Sequence, residues 1–144
     1  MGEQDGFSER ERAAIKERAA ELRKEAGHPR GGKAAAAERD VLAKIAEMEA
    51  ADRALAGRIH AIVTETAPEL EPKLWYGQPA YARRGRVVCF FRSGHADNER
   101  YSTFSFTAEA DLDDDGWWPT SFAVAELTPA AEKALTALVA RAVN

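Results

Sequence analysis

Residues 74–92 read LWYGQPAYARRGRVVCFFR, and this stretch decides the fold. Val87–Phe91 is β-branched or aromatic at four of its five positions and is too short for a typical helix, which predicts a strand with both faces largely buried. Tyr81–Arg83 lies just across Arg84-Gly85, and glycine readily takes the positive φ that a two-residue turn needs. The stretch therefore predicts a central β-hairpin.

The N-terminal third is predicted to form an appendage. Ser8 and Glu11 have the spacing of a capping box, so residues 9–26 should form a helix. Ile15 and Leu22 are its only large apolar residues, and such a thin stripe predicts weak packing. Gly27–Lys33 is typical of a flexible linker. We therefore expect a helical appendage and linker over residues 1–36 and one domain over residues 37–144.

Three further helices are expected in that domain. One begins with Asp40 as its cap and carries an apolar face, a second carries another such face and ends at Pro68, and the last begins at Thr128-Pro129. The apolar faces consist of Val41, Leu42, Ile45 and Met48 in the first helix, of Leu55, Ile59, Ile62, Val63 and Thr66 in the second, and of Leu135, Leu138, Val139 and Ala142 in the third.

Two more strands follow the hairpin. Tyr101–Thr107 alternates so that Phe104 and Phe106 share a face, and Phe122 and Val124 belong to a shorter strand. Core helices, successive antiparallel strands and a final helix indicate an α+β fold with a sheet of about four strands.

The hairpin region also resembles a known family. The run Trp75–Tyr81, the turn glycine Gly85 and the strand Val87–Phe91 are similar to the signature of the YdhG-like family of small bacterial α+β domains, although Gln78 stands where relatives usually have methionine. The resemblance extends from about Val41 to the C-terminus. It implies a fold rather than a reaction. One branch of that family is described as frataxin-like iron chaperones, so the resemblance also implies iron handling as an alternative.

Composition narrows the class of protein. The chain has 144 residues, 45% of them hydrophobic and 31% charged, which is typical of one globular domain. No apolar run approaches a membrane span, the N-terminus lacks signal-peptide features, and a single cysteine excludes an intrachain disulfide. We expect a cytoplasmic protein without membrane partners. The net charge of −4 makes nucleic acid an improbable partner.

The predicted ligand site lies around the hairpin. Aromatic walls with a few polar groups suit a small-molecule pocket, and arginine side chains bind carboxylate or phosphate bidentately. The candidate ligand-binding residues are Trp75, Tyr76, Gln78, Tyr81, Arg83, Arg84, Arg86 and Trp118. Trp117 flanks the same loops. The simpler interpretations are that the aromatic residues close one end of the core and that the arginines solubilise a sheet edge.

A candidate metal site lies in the acidic segment Asp111–Gly116. Its sequence matches the opening of a calcium-binding loop, with Asp111, Asp113 and Asp115 as alternate ligands. Position twelve of such a loop is Phe122 rather than the glutamate that completes the shell. Weak binding of iron or another divalent cation through carboxylates is one interpretation, and a solvated acidic turn is the other.

Catalytic motifs are missing from the sequence. No nucleophile elbow, phosphate loop or cysteine–histidine cluster occurs, Cys89 lies within an apolar strand, and His60 borders an apolar helix face, where a structural histidine is expected. The favoured function is therefore a non-enzymatic module that binds a small molecule or a protein and needs no cofactor. Metal handling is the first alternative, and an enzyme without a recognisable motif is the second.

Overall fold

The computed structural model describes residues 9–26 and 30–144, which fold into four helices and five strands. The helices are α1 (Glu9–Ala26), α2 (Arg30–Ala46), α3 (Ala50–Thr66) and α4 (Pro129–Ala142). The strands are β1 (Glu71–Trp75), β2 (Gln78–Arg83), β3 (Arg86–Arg92), β4 (Ser102–Phe106) and β5 (Ser121–Val124). They form one antiparallel sheet in the order β1-β2-β3-β4-β5. The α+β class is confirmed, with five strands rather than about four.

The central hairpin is confirmed. Arg83 pairs with Arg86, so the loop between β2 and β3 consists of Arg84 and Gly85 alone. Both take positive φ, 54° and 79° respectively, which is the pattern of the turn whose twist matches that of the flanking strands. The register shifts between Tyr81, which pairs with Cys89, and Ala82, which pairs with Val87, so Val88 is the extra residue of a bulge in β3.

Replacing Gly85 with valine should destabilise the fold by about 1–2 kcal/mol, because a β-branched side chain resists positive φ. A side chain at this position would meet no atom within 4 Å, so the cost comes from the backbone alone. Gly85→Asn is the matched control: asparagine tolerates this conformation, so this variant should lower the free energy of unfolding much less. Urea unfolding measures both variants, and equal losses would contradict a backbone cause.

The two faces of the sheet have different environments. Tyr81, Cys89, Phe91 and Phe104 share one face, and these four residues join side chains of α2, α3 and α4 in the core. Phe90 points to the opposite face, where it is half-buried and lies edge-to-face with Trp75 at 5.2 Å. The expectation that β3 is buried on both faces is therefore correct for the core face and only partly correct for the other, which we call the outer face.

Strand β1 was not predicted. Its residues Glu71, Pro72 and Lys73 have little strand propensity, but β1 is an edge strand that pairs only with β2, and an edge tolerates proline. The turn that joins it to β2 is Tyr76-Gly77, whose φ values of 53° and 76° repeat the geometry of the Arg84-Gly85 turn. An aromatic residue at the first turn position concealed this second hairpin.

The linker prediction is wrong from Arg30 onward, because α2 begins there; Gly27 to Pro29 lie outside the described residues, as does the Ser8 cap. Asp40 accordingly lies within α2 and does not cap it. Two glycines in the first turn cost little because the N–H groups there have no helical partner, and the alanine run that follows favours helix. The expected boundary after residue 36 falls inside α2 next to the buried Ala36, and the division of the chain stays a prediction.

Helix α1 has its predicted extent, and α3 ends and α4 begins where the sequence predicts. Helix α3 ends two residues before Pro68, and Thr128 caps α4 by accepting a hydrogen bond from Ala131 N at 3.1 Å. Ile59, Val63 and Val139 are fully buried. Within the described parts of the chain, no helix combines the length and the apolar character that crossing a bilayer requires.

Candidate functional site

Three surface cavities contain five of the eight predicted ligand-binding residues. The turn cavity, about 390 Å³, lies between α1 and the Tyr76-Gly77 turn. The sheet trough, about 340 Å³, lies between α1, β1 and the start of β3. The Trp cleft, about 540 Å³, lies where the end of β4 meets the loop that carries Trp117 and Trp118. All three have volumes suited to small ligands, so their chemistry distinguishes them.

The turn cavity contains Tyr76 and Gln78 from the predicted set. Four of its charged groups form two pairs: Lys44 Nζ lies 3.3 Å from Glu17 Oε1, and Arg92 Nη1 lies 3.3 Å from Asp97 Oδ2. The amide of Gln78 donates to Trp75 O at 3.3 Å. Because these polar groups already satisfy each other, an incoming polar ligand has to displace existing contacts.

Helix α1 closes one side of the turn cavity through polar contacts. Gly77 N donates to Glu21 Oε2 at 3.0 Å, and burial of Glu21 raises the pKa of its carboxyl group against the opposing effects of Gly77 N and Arg18. Ile15 and Leu22 remain 47% and 49% exposed. The large residues of the predicted apolar stripe are therefore not what holds α1 against the domain. Polar side chains make the contact instead: Glu17 and Glu21 accept hydrogen bonds, and Arg10 donates one to Asp97 O.

The sheet trough combines an aromatic wall with positive charge. Trp75 and Arg86, both predicted, line it together with Arg18 from α1 and Lys73 from β1, and Glu109 is the only carboxylate among its lining residues. Trp75 is held by edge-to-face contacts with Tyr76 and Phe90, whose ring centroids lie 5.1 Å and 5.2 Å from its own. The trough therefore offers a fixed indole beside three cationic side chains.

The two arginines of the trough form weak ion pairs. Arg86 lies 3.5 Å from Glu109, but the two side chains are 74% and 42% exposed, and such surface pairs contribute little. Arg18 lies 3.6 Å from Glu21, whose charged form is disfavoured by burial. An anion entering the trough would therefore compete with weak pairs.

The three arginines of the hairpin do not converge. Arg83 donates to Val143 O at 2.9 Å and ties the hairpin to the end of α4, which is a structural contact. Arg84 lies exposed in the turn, and only Arg86 lines the sheet trough. Of the three predicted arginines, only Arg86 is therefore placed to contact a ligand; Arg83 has a structural role, and Arg84 faces solvent.

Tyr81 is placed in the core rather than at a pocket. It is fully buried, and its hydroxyl lies 2.9 Å from His60 Nδ1, while His60 Nε2 lies 3.1 Å from Glu38 Oε2. In the neutral tautomer that fits both contacts, Tyr81 donates to His60, and His60 donates to Glu38. Burial strongly raises the pKa of the Tyr81 hydroxyl. These two hydrogen bonds link β2, α3 and α2, so His60 has the structural role expected of it.

The Trp cleft contains Trp118 from the predicted set and Trp117. Trp118 is half-buried and packs against the core, whereas Trp117 is 86% exposed. The predicted aromatic group is therefore divided, with Trp75 and Tyr76 near the first turn and the other two tryptophans in a separate cleft.

The acidic segment shows no metal-binding arrangement. Asp111, Asp113 and Asp115 are exposed, and Asp115 and Gly116 form a turn with φ values of 49° and 82°. Across residues 9–26 and 30–144, no group of three or more His, Cys, Asp or Glu side chains is placed to hold a metal ion. Metal binding here stays a prediction based on the sequence.

Cys89 is buried, and burial raises the pKa of its thiol, as an inert core cysteine requires.

Sequence reasoning missed two of the three cationic residues of the sheet trough, Arg18 and Lys73. Lys73 lies on the unpredicted strand β1, and Arg18 lies on a helix that was expected to stand apart from the domain. The sequence indicates β1 only if Tyr76-Gly77 is taken as a two-residue turn, because Trp75 then pairs with Gln78.

Comparison with known proteins identifies no relative: no family model, no curated protein and no solved structure matches the sequence. The resemblance to the YdhG-like family stays a prediction that rests on residues 75–91 of the sequence.

Proposed function

We propose that this protein is a non-enzymatic binding module that holds a small anionic ligand with a planar group in the sheet trough. The observation that carries the proposal is the placement of Arg18, Lys73 and Arg86 around Trp75, with Glu109 as the only carboxylate among the described lining residues. This local excess of positive charge occurs in a chain whose net charge is −4. The overall charge of the chain therefore does not account for the positive charge of the trough.

The residue types of the trough suit such a ligand. An indole face packs against a planar ring, and guanidinium groups donate pairs of hydrogen bonds to carboxylate or phosphate. Lysine adds a compact charge that can follow the anion. The ring of the ligand would lie against Trp75, and its anionic group would lie between Arg86 and Lys73.

The expected affinity is weak. At about 0.3 kcal/mol per non-hydrogen atom, a probe with about 15 such atoms binds with a Kd on the order of 1 mM. A suitable probe is 1-naphthyl phosphate, with 1-naphthol as its neutral counterpart, and the trough of about 340 Å³ is large enough for the naphthyl ring. Ligand-observed NMR titration is sensitive in this range of affinity.

Arg86→Gln and Lys73→Gln should each weaken binding of 1-naphthyl phosphate about 3- to 10-fold, since each removes one partially solvated charge contact. Arg84→Gln is the matched control, because it makes the same change of charge two residues from Arg86 at a residue outside the trough lining. A similar loss in all three variants would indicate diffuse attraction, and equal binding of 1-naphthol would show that charge is not recognised. Either result contradicts the proposal.

Metal handling is the weaker alternative. It rests on the family resemblance and on Asp111, Asp113 and Asp115, and no arrangement of the described side chains favours it. An enzymatic role is weaker still: the sequence has no recognisable catalytic motif, and a role of Cys89 as nucleophile is disfavoured by its burial and raised pKa. The cytoplasmic location expected from the sequence remains part of this proposal.

A further inference from the structure

Trp117 is presented to solvent on an ordered turn. At 86% it is more exposed than any other large hydrophobic residue in the described part of the chain. Asp115 and Gly116 both take positive φ, and Trp117 N donates to Asp114 O at 3.3 Å to close the turn. The chain therefore projects this indole outward by a defined backbone geometry.

The loop around Trp117 is anchored on both sides. Ala110 and Leu112 are buried at 6% and 3% exposure, and Asp111 N donates to Ala142 O in the last turn of α4 at 2.9 Å. On the other side, Trp118 packs against the core. An aromatic side chain on an anchored loop loses little conformational entropy on binding, which is why exposed tryptophans act as anchors in protein interfaces.

Beside Trp117 lies the open Trp cleft. Phe106, Ala108 and Ala110 line it, together with the two tryptophans and Asp113. Small molecules usually require sites that bury most of their surface, and a side chain as exposed as Trp117 does not enclose a ligand. A polypeptide segment laid across the cleft would instead cover Trp117 with its own side chains.

The charge around the cleft selects the kind of segment. Residues 107–120 contain five carboxylates and no Lys, Arg or His. A lysine or arginine side chain placed over the indole of Trp117 gains a cation–π interaction, and it can form an ion pair with Asp113 at the same time. Acidic segments of a partner would be repelled.

We propose that the Trp cleft is a docking site for a partner protein that presents a lysine- or arginine-rich segment. This site is separate in function from the sheet trough. The two share Thr107 and Ala108 at their border, but one favours anions and the other favours cations.

Fluorescence anisotropy with a labelled hexaarginine peptide tests the proposal on the full chain at physiological salt. Trp117→Ala should weaken binding by about 10-fold or more, and Trp117→Phe should retain most of it because the ring remains. Tyr101→Ala is the aromatic control, since Tyr101 is also exposed but lies outside the cleft lining. Because Trp117 is so exposed, its variants are expected to fold normally.

A second pair of variants separates docking from general attraction to an acidic protein. Asp113→Asn should weaken hexaarginine binding several-fold, whereas Glu69→Gln, an exposed residue outside the cleft lining, should not. The proposal is overturned if hexaarginine does not bind, if Trp117→Ala binds it as well as the unchanged protein, or if Asp113→Asn and Glu69→Gln have equal effects. Self-association that Trp117→Ala abolishes would assign the cleft to a second copy of the chain and would also overturn it.

Discussion

Phe91→Asp should prevent folding, whereas Phe90→Asp, one position earlier in the same strand, should leave a folded protein. Phe91 is fully buried in the core, where a carboxylate loses its hydration at a cost of several kcal/mol and the aromatic packing is lost as well. The desolvation cost and the lost packing together approach or exceed the free energy of unfolding of a typical protein, about 5–15 kcal/mol. Phe90 lies half-buried on the outer face, where an aspartate side chain can reach water.

Circular dichroism and urea unfolding distinguish these outcomes. Phe90→Asp should lower the free energy of unfolding by about 1–3 kcal/mol through the lost contact with Trp75. Phe91→Asp should show no cooperative transition. If both variants unfold, the outer face is part of a second buried layer, and the account of an accessible sheet trough loses its basis.

Asp52→Ala should lower the stability by about 2–4 kcal/mol, because it removes a buried carboxylate and leaves two partly buried hydrogen-bond donors without their acceptor. Asp52 Oδ2 accepts from Ser93 Oγ at 2.5 Å and from His95 N at 3.0 Å, which ties the loop after β3 to the first turn of α3. Asp114→Ala, at an exposed position, is the control and should change stability by less than about 0.5 kcal/mol.

The Asp52 contribution should depend on pH. Burial opposes ionisation of Asp52, but the hydrogen bonds from Ser93 and His95 outweigh burial and lower the pKa of its carboxyl group. Its stabilising effect should therefore be complete above the ordinary aspartate pKa near 4 and be lost as the pH falls through the lowered value. Asp52→Asn should reduce the loss of stability measured between about pH 5 and pH 2. An unchanged slope would contradict this assignment.

Local chemistry made much of the fold predictable. Arg84-Gly85 between two apolar runs, the alternation of Phe104 with Phe106, and the cap Thr128 before Pro129 each specify one conformation through nearby residues. The structure agrees with these three predictions because residues near each position favour the same conformation as the assembled fold.

The errors have the opposite origin. Strand β1 forms because β2 supplies its hydrogen bonds, and α2 extends to Arg30 although its first turn contains two glycines. The face that Phe90 occupies depends on which side the helices cover, and this is a property of the assembled sheet. No local pattern in these segments carries that information.

The candidate site was predictable only in part. Trp75 and Arg86 both line the sheet trough, as expected of a site at the hairpin. Tyr81 instead lies in the core, where its hydroxyl contacts His60, and Arg83 donates a hydrogen bond to Val143 O. Arg18 and Lys73 reach the trough through α1 and β1, whose positions only the assembled structure specifies.

The most direct test of anion binding in the sheet trough is protein-observed NMR of the three tryptophan indole N–H signals during titration with 1-naphthyl phosphate. Trp75 lines the trough, while Trp117 and Trp118 line the cleft, so the signals report on the two sites separately. The account predicts a saturable shift of the Trp75 signal that is much larger than the shifts of the other two and that weakens in Arg86→Gln. No shift at Trp75, or a larger shift at Trp117, would contradict it.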